Sequence, residues 1–149
     1  MRFLPLAITL ILGTRLSVID HRLHRLPNRD VAAMTVVLLV AIVLQVDAQL
    51  AWRAVATGLA SASAYAVVYL VSRGQFGMGD VKYAFPLGLT VGCYAPHAWL
   101  TAILGAFALS ALTSLVLIAA RRLKLRDRLA FGPYMTVATV VVCLIGVGT

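Results

Sequence analysis

The chain has 149 residues, 62% of them hydrophobic and 12% charged, with a mean hydropathy of +0.96 and no glutamate. A water-soluble domain is roughly 45–50% apolar and about 25% charged, so an ordinary soluble domain is excluded, and the length fits one domain (residues 1–149) built almost wholly of membrane spans. The formal charge of +8 does not mark a nucleic-acid binder, because the basic residues stand in short clusters between apolar runs, the pattern of cytoplasmic loops.

Taken in order, the apolar runs predict six transmembrane helices: Phe3–Ile19, Val31–Val46, Trp52–Ser72, Tyr83–Tyr94, Ala98–Ala120 and Phe131–Val147. A helix rises about 1.5 Å per residue and needs about 20 residues to cross the hydrocarbon core. The third and fifth runs meet that length. The fourth is short, and Pro86 is expected to kink it and let it start inside the bundle. Period-2 alternation is absent, so the expected fold is an all-α bundle, not a β-barrel. Met1-Arg2 resembles the start of a signal peptide, but the run continues without a small-x-small cleavage site and reads as a retained first helix.

Ten of the 13 Lys and Arg residues fall on loops one, three and five, against Arg2 and Arg53 on the other side, while Arg15 lies within the first span and can snorkel. This bias predicts both termini outside and loops one, three and five in the cytoplasm. Small-residue stripes at Gly58/Ala62/Ala66 and Ala102/Ala106/Ser110/Ser114 are expected to pack helices closely. Trp52 and Trp99 fall at the predicted outer boundaries, as belt aromatics do. Cys93 and Cys143 lie in or beside apolar runs and read as packing residues. The clusters at Arg22/Arg25/Arg29 and Arg121–Arg128 act as stop signals and can meet anionic lipid headgroups.

Within this apolar background, Phe76-Gly77-Met78-Gly79-Asp80-Val81-Lys82 places a carboxylate and an ammonium against a span. A charge at bilayer depth costs at least about 2.5–3.5 kcal/mol, so such a group marks a functional site by default. The acids are Asp20, Asp30, Asp47, Asp80 and Asp127. Asp47 falls on the outer face, Asp127 sits among arginines, and Asp30 follows Asn28-Arg29 in a polar turn. Asp20 closes the first predicted span and Asp80 opens the fourth. An even number of crossings separates them, so both lie at one end of the bundle. Two carboxylates sharing a site do not both ionise easily, so one can act as base while the other donates a proton, the division of labour that peptide hydrolysis needs. From its place at a helix N-terminus Asp80 is expected to be the anion, and Asp20, at a helix C-terminus, the acid. The alternatives are helix capping, pairing with arginine, or a proton relay in a small proton-coupled transporter. Against the transporter, no inverted repeat is visible between the halves of the chain.

Four segments together resemble the prepilin peptidase (type IV leader peptidase) family of membrane aspartyl proteases. Ile19-Asp20 through Leu26-Pro27-Asn28 is similar to the family's first aspartate and its Ile-Pro-Asn turn, and Gly77-Met78-Gly79-Asp80-Val81-Lys82 fits its G-x-G-D-x-K motif. Gly88 and Gly92 match the glycines that follow, and Phe131-Gly132-Pro133-Tyr134 resembles its F-G-P-[FY] segment, although Leu129-Ala130 stands where Ile-Pro is common. The resemblance implies that Asp20 and Asp80 are the catalytic pair, with Gly77, Gly79, Lys82, Pro27, Asn28, Gly132 and Pro133 as motif or substrate-approach positions. It implies cleavage, on the cytoplasmic side of a bacterial or archaeal inner membrane, of the leader of a prepilin or pseudopilin precursor. The small size fits the form that accompanies tight-adherence (Flp-type) pili. Loop one is about ten residues long and has no cysteine, so the methylating C-x-x-C region of larger members is not expected, nor any metal or cofactor. Membrane lipid is an expected partner, nucleic acid is not, and the oligomeric state is open. The paired glycines are expected to let an extended substrate backbone approach Asp80. Asn28 is expected to N-cap the second span with Pro27 fixing the turn. Lys82 is expected to tune Asp80 or anchor at the interface, and His21 and His24 to be solvated neighbours of Asp20.

Overall fold

The computed structural model describes residues 3–23, 26–73, 76–121 and 130–148. Over these it holds six α-helices and no strand: α1 (Leu4–Leu23), α2 (Asn28–Val43), α3 (Ala48–Val71), α4 (Met78–Tyr94), α5 (Trp99–Ala119) and α6 (Gly132–Gly148). A single 3-10 turn, Pro96–Ala98, runs directly into α5. Three segments are long and apolar enough to cross a membrane: α1, α3, and the 3-10 turn continued by α5. The 16 residues of α2 and 17 of α4 and α6 reach about 24–26 Å at 1.5 Å per residue. Large apolar side chains such as Ile11, Val43, Leu104, Leu115 and Ile145 stand exposed on the outside of the bundle, where a lipid environment leaves them at no cost.

Three helix ends differ from the sequence expectation. α1 continues one turn past Ile19, so Asp20 lies inside its last turn instead of closing it. α4 begins at Met78, five residues before Tyr83, and the helix continues through the buried Pro86, whose carbonyl accepts from the Thr90 hydroxyl at 3.2 Å. At α2 the N-cap is Pro27, with no side-chain cap, and Asn28 is already helical. The basic segment 122–129, with Asp127, and His24 and Arg25 lie outside the described residues.

α4 is the hub and packs against every other helix. Its closest neighbour is the antiparallel α3, and glycine sets the spacing. A Cβ on Gly92 would lie 2.5 Å from the Ala54 Cα and 2.8 Å from the Arg53 carbonyl oxygen, and one on Gly88 would lie 2.8 Å from the Gly58 Cα. Without a hydrophobic drive between helices in lipid, such backbone approach supplies the packing energy. The stripe α3 uses is therefore Ala54/Gly58/Ser61, one helical face over from the expected Gly58/Ala62/Ala66. On α5, Ala102 and Ala106 are buried as expected, but Ser110 and Ser114 are only half-covered.

Buried polar groups pair across helices. The Thr9 and Thr90 hydroxyls share a hydrogen bond at 2.6 Å. Tyr83, wholly buried on α4, bonds the Thr136 hydroxyl of α6 at 2.8 Å, which also bonds Ser17 of α1 at 2.9 Å and donates to the Gly132 carbonyl at 3.0 Å. In a low-dielectric interior a lost partner is costly, so this knot fixes α1, α4 and α6 beneath the end of the bundle that carries the acids. Trp52 is 70% exposed, as a belt residue is, whereas Trp99 is tucked against the core. Cys143 is buried and Cys93 half-buried, both as free thiols.

Candidate active site

Asp20 and Asp80 come from helices that are not sequential in the chain, yet the backbone around them converges: Asp20 reaches Gly132, and the rings that precede Gly132 and Gly77, Phe131 and Phe76, stand 5.3 Å apart. Each carboxylate lies against the N-terminus of a helix. Asp20, only 6% exposed, accepts the Gly132 backbone N–H at 2.9 Å. Gly132 opens α6, where the first N–H groups have no intrahelical acceptor, and the following Pro133 has no N–H to offer. Asp80, in the first turn of α4, folds back over its own N-cap, Gly77. Asp20, in the last turn of α1, also meets the positive end of α6, as Asp80 meets that of α4, so helix ends alone do not assign the acid and the base.

The motif glycines have intramolecular reasons to be glycine. A Cβ on Gly77 would lie 2.7 Å from the Asp80 Oδ2, blocking the fold-back of that carboxylate. A Cβ on Gly79 would meet the Leu26 Cβ at 3.2 Å, because the turn between α1 and α2 packs there. Lys82 donates to the Asn28 Oδ1 at 3.1 Å. The expected cap Asn28 thus ties α2 to α4 instead, and the Lys82 ammonium is directed to that amide, not to Asp80. Arg15 is paired with Asp30 at 3.5 Å, Asp47 caps α3 by accepting from Gln49 and Leu50 N–H at 2.9 Å each, and His21 is exposed. Pro133 lines an open groove of about 400 Å³ with Thr14, Ser17, Val18, His21 and Arg22.

One feature of the site has no local signature in the sequence. Tyr65, Phe76, Phe107 and Phe131 form a cluster in which every ring meets every other, with centroids 5.0–6.1 Å apart. Aromatic pairs at such separations add about 0.5–1.5 kcal/mol beyond their buried area. Phe76 immediately precedes Gly77, and Phe131 immediately precedes Gly132. The cluster therefore joins the two backbone segments against which the two carboxylates lie.

The sequence model of the type IV leader peptidase family matches residues 6–147, nearly the whole chain. The chain belongs to the type IV leader peptidase family. Members are aspartic-type prepilin peptidases, so this leader peptidase is a hydrolase whose substrate class is the prepilin precursor. The family membership sets the transporter alternative aside. Neither the curated proteins nor the solved structures searched gave a match.

Gly132 offers a direct test of how the peptidase holds Asp20. A Cβ there would lie 2.9 Å from Oδ2 and 3.4 Å from the Asp20 Cβ, so Gly132→Ala must displace the carboxylate from the N–H. A hydrogen bond to a charged group is worth about 1.5–3 kcal/mol. Leader cleavage by Gly132→Ala is expected to slow by about 10- to 100-fold while the protein remains folded in the membrane. Cleavage time courses at matched enzyme abundance measure this, and a wild-type rate would show that the bond does not matter.

Proposed function

We propose that Asp20 and Asp80 are the catalytic pair of a multi-pass leader peptidase of the cytoplasmic membrane, forming a single domain that cuts prepilin-like precursors at the cytoplasmic boundary. The observation that supports this most is geometric: Asp20 is bonded to Gly132, Asp80 lies against Gly77, and the rings immediately before those glycines, Phe131 and Phe76, stand 5.3 Å apart. In the proposed reaction the ionised carboxylate takes a proton from water and the water oxygen attacks the scissile carbonyl carbon. The protonated partner donates to the carbonyl oxygen. Collapse of the tetrahedral intermediate breaks the C–N bond and passes a proton to the leaving amine. The pair titrates as a unit.

The six helices are read as six spans with both termini outside, on the strength of the Lys and Arg distribution in the sequence. That orientation puts Asp20, Asp80, Pro27, Asn28 and Gly132 at the cytoplasmic end, where a precursor's soluble leader meets its membrane-embedded apolar segment. The small size favours an Flp-type precursor. Co-expression with a candidate Flp-type prepilin tests the reading: wild type should shorten the precursor, and Asp20→Ala and Asp80→Ala should leave it full length. Unaltered processing by both variants overturns it.

A further inference from the structure

The interior holds one polar group near the two acids that the proposed chemistry does not use. Tyr65 is 3% exposed, and its ring is clamped by Phe76, Phe107 and Phe131. Among the described residues its hydroxyl makes no hydrogen bond, yet it is not a sealed, unsatisfied atom, so it opens onto accessible volume. A buried tyrosine ordinarily finds a partner for its O–H.

Two independent observations place it beside Asp80. The first is register. α3 and α4 run antiparallel with Gly58 against Gly88, and two helical turns, seven residues, carry α3 from Gly58 to Tyr65 and α4 back from Gly88 to Val81, the neighbour of Asp80. In keeping with this, Tyr65 and Ala84 line the same small cavity of about 20 Å³. The second is the ring contact: Tyr65 stacks on Phe76 with centroids 5.7 Å apart, and a Cβ on Gly77, the residue after Phe76, would lie 2.7 Å from the Asp80 Oδ2.

We infer that Tyr65 is a positioning residue of the peptidase site, its hydroxyl donating a hydrogen bond to the Asp80 carboxylate when the scissile peptide and its water are bound. The inference rests on the proposed role of Asp80. The aromatic clamp fixes the ring, so the hydroxyl is presented without loss of rotamer freedom. It supplies a side-chain donor to Asp80, whose carboxylate lies against Gly77. A donor of this kind holds the carboxylate in the orientation that lets it face water. The ring alone would serve packing, and only the O–H serves this role.

The two roles separate in kinetics. Purified enzyme in liposomes is assayed on a full-length prepilin that the wild type processes in co-expression, comparing Tyr65→Phe, Tyr65→Leu and Asp80→Asn. Tyr65→Phe keeps the ring and should retain the wild-type melting temperature and a KM within about twofold, with kcat lowered about 10- to 100-fold, the range for a hydrogen bond to a charged group. Tyr65→Leu should lower both kcat and melting temperature. Wild-type kcat in Tyr65→Phe, a loss confined to KM, or a loss that follows a drop in melting temperature each overturns the inference. If Asp80→Asn is fully active, the catalytic reading of Asp80 fails, and the role of Tyr65 fails with it by a distinguishable pattern.

Discussion

Replacing either Asp20 or Asp80 by asparagine is expected to lower kcat for leader cleavage by about 10³- to 10⁴-fold, the scale lost when a positioned acid or base is removed. The substitution is nearly isosteric, and the surroundings allow it. An amide oxygen at position 20 can still accept the Gly132 N–H, and the amide at position 80 fills the same space against Gly77, so neither helix end is disturbed. The neutral amide cannot take a proton from water, and it cannot pass one to a leaving amine. In the proposed reaction each carboxyl alternates between the two forms during one turnover, so the losses should be similar. Mass spectrometry of precursor and product after reaction with purified variants gives the rates. Substantial activity in Asp20→Asn with none in Asp80→Asn would rule out a shared-proton pair and leave Asp80 working alone.

The largest effect on stability is expected at Gly92. In Gly92→Val the new Cβ would fall 2.5 Å from the Ala54 Cα and 2.8 Å from the Arg53 carbonyl. Both obstacles are backbone and cannot rotate aside, so α3 and α4 must separate. Overpacking costs typically about 1–3 kcal/mol and occasionally more, and here the displaced helix is the one that touches all the others and carries Asp80. Gly92→Val is therefore expected to melt well below wild type in detergent and to lose leader cleavage with its fold. Gly105→Ala is the control. Its Cβ would sit 3.5 Å from the Ala138 Cβ, an ordinary contact, and its melting curve should overlay wild type. Equal melting curves for wild type and Gly92→Val would contradict the close α3–α4 packing.

Much of this architecture was readable before any coordinates, because a span announces itself as an apolar run. All six runs are helices, and the even number of crossings between Asp20 and Asp80 put them at one end of the bundle, the basis on which their pairing is proposed. The helix ends were harder to read. Hydropathy stops at the first polar residue, but a helix does not, so α1 carries Asp20 a turn before its end and α4 takes in Met78-Gly79-Asp80. Asn28 looked like a cap because its type favours that role. Its amide was claimed instead by Lys82, a residue 54 positions away, and no local rule anticipates such a partner. The glycines of the motif were read as room for substrate, and the fold adds a reason within the chain: a Cβ would meet Leu26 at Gly79 and the Asp80 carboxylate at Gly77. The rings at positions 65, 76, 107 and 131 follow no period, and only the fold collects them. A hint was available in that two of them directly precede motif glycines.

The bond from Gly132 to Asp20 spans 112 positions of chain, and this sets a clock on biosynthesis. A ribosome releases the chain from its amino end, so α1 through α5 enter the membrane while Asp20 still lacks the donor that only α6 brings. Until then its carboxylate has no such partner, and α6 must dock to supply one. A nascent chain thus lacks the Gly132 donor at Asp20 until its final helix is made. A chain arrested before Gly132 is expected to cleave leader no faster than Gly132→Ala, and a separately supplied α6 segment to raise that rate.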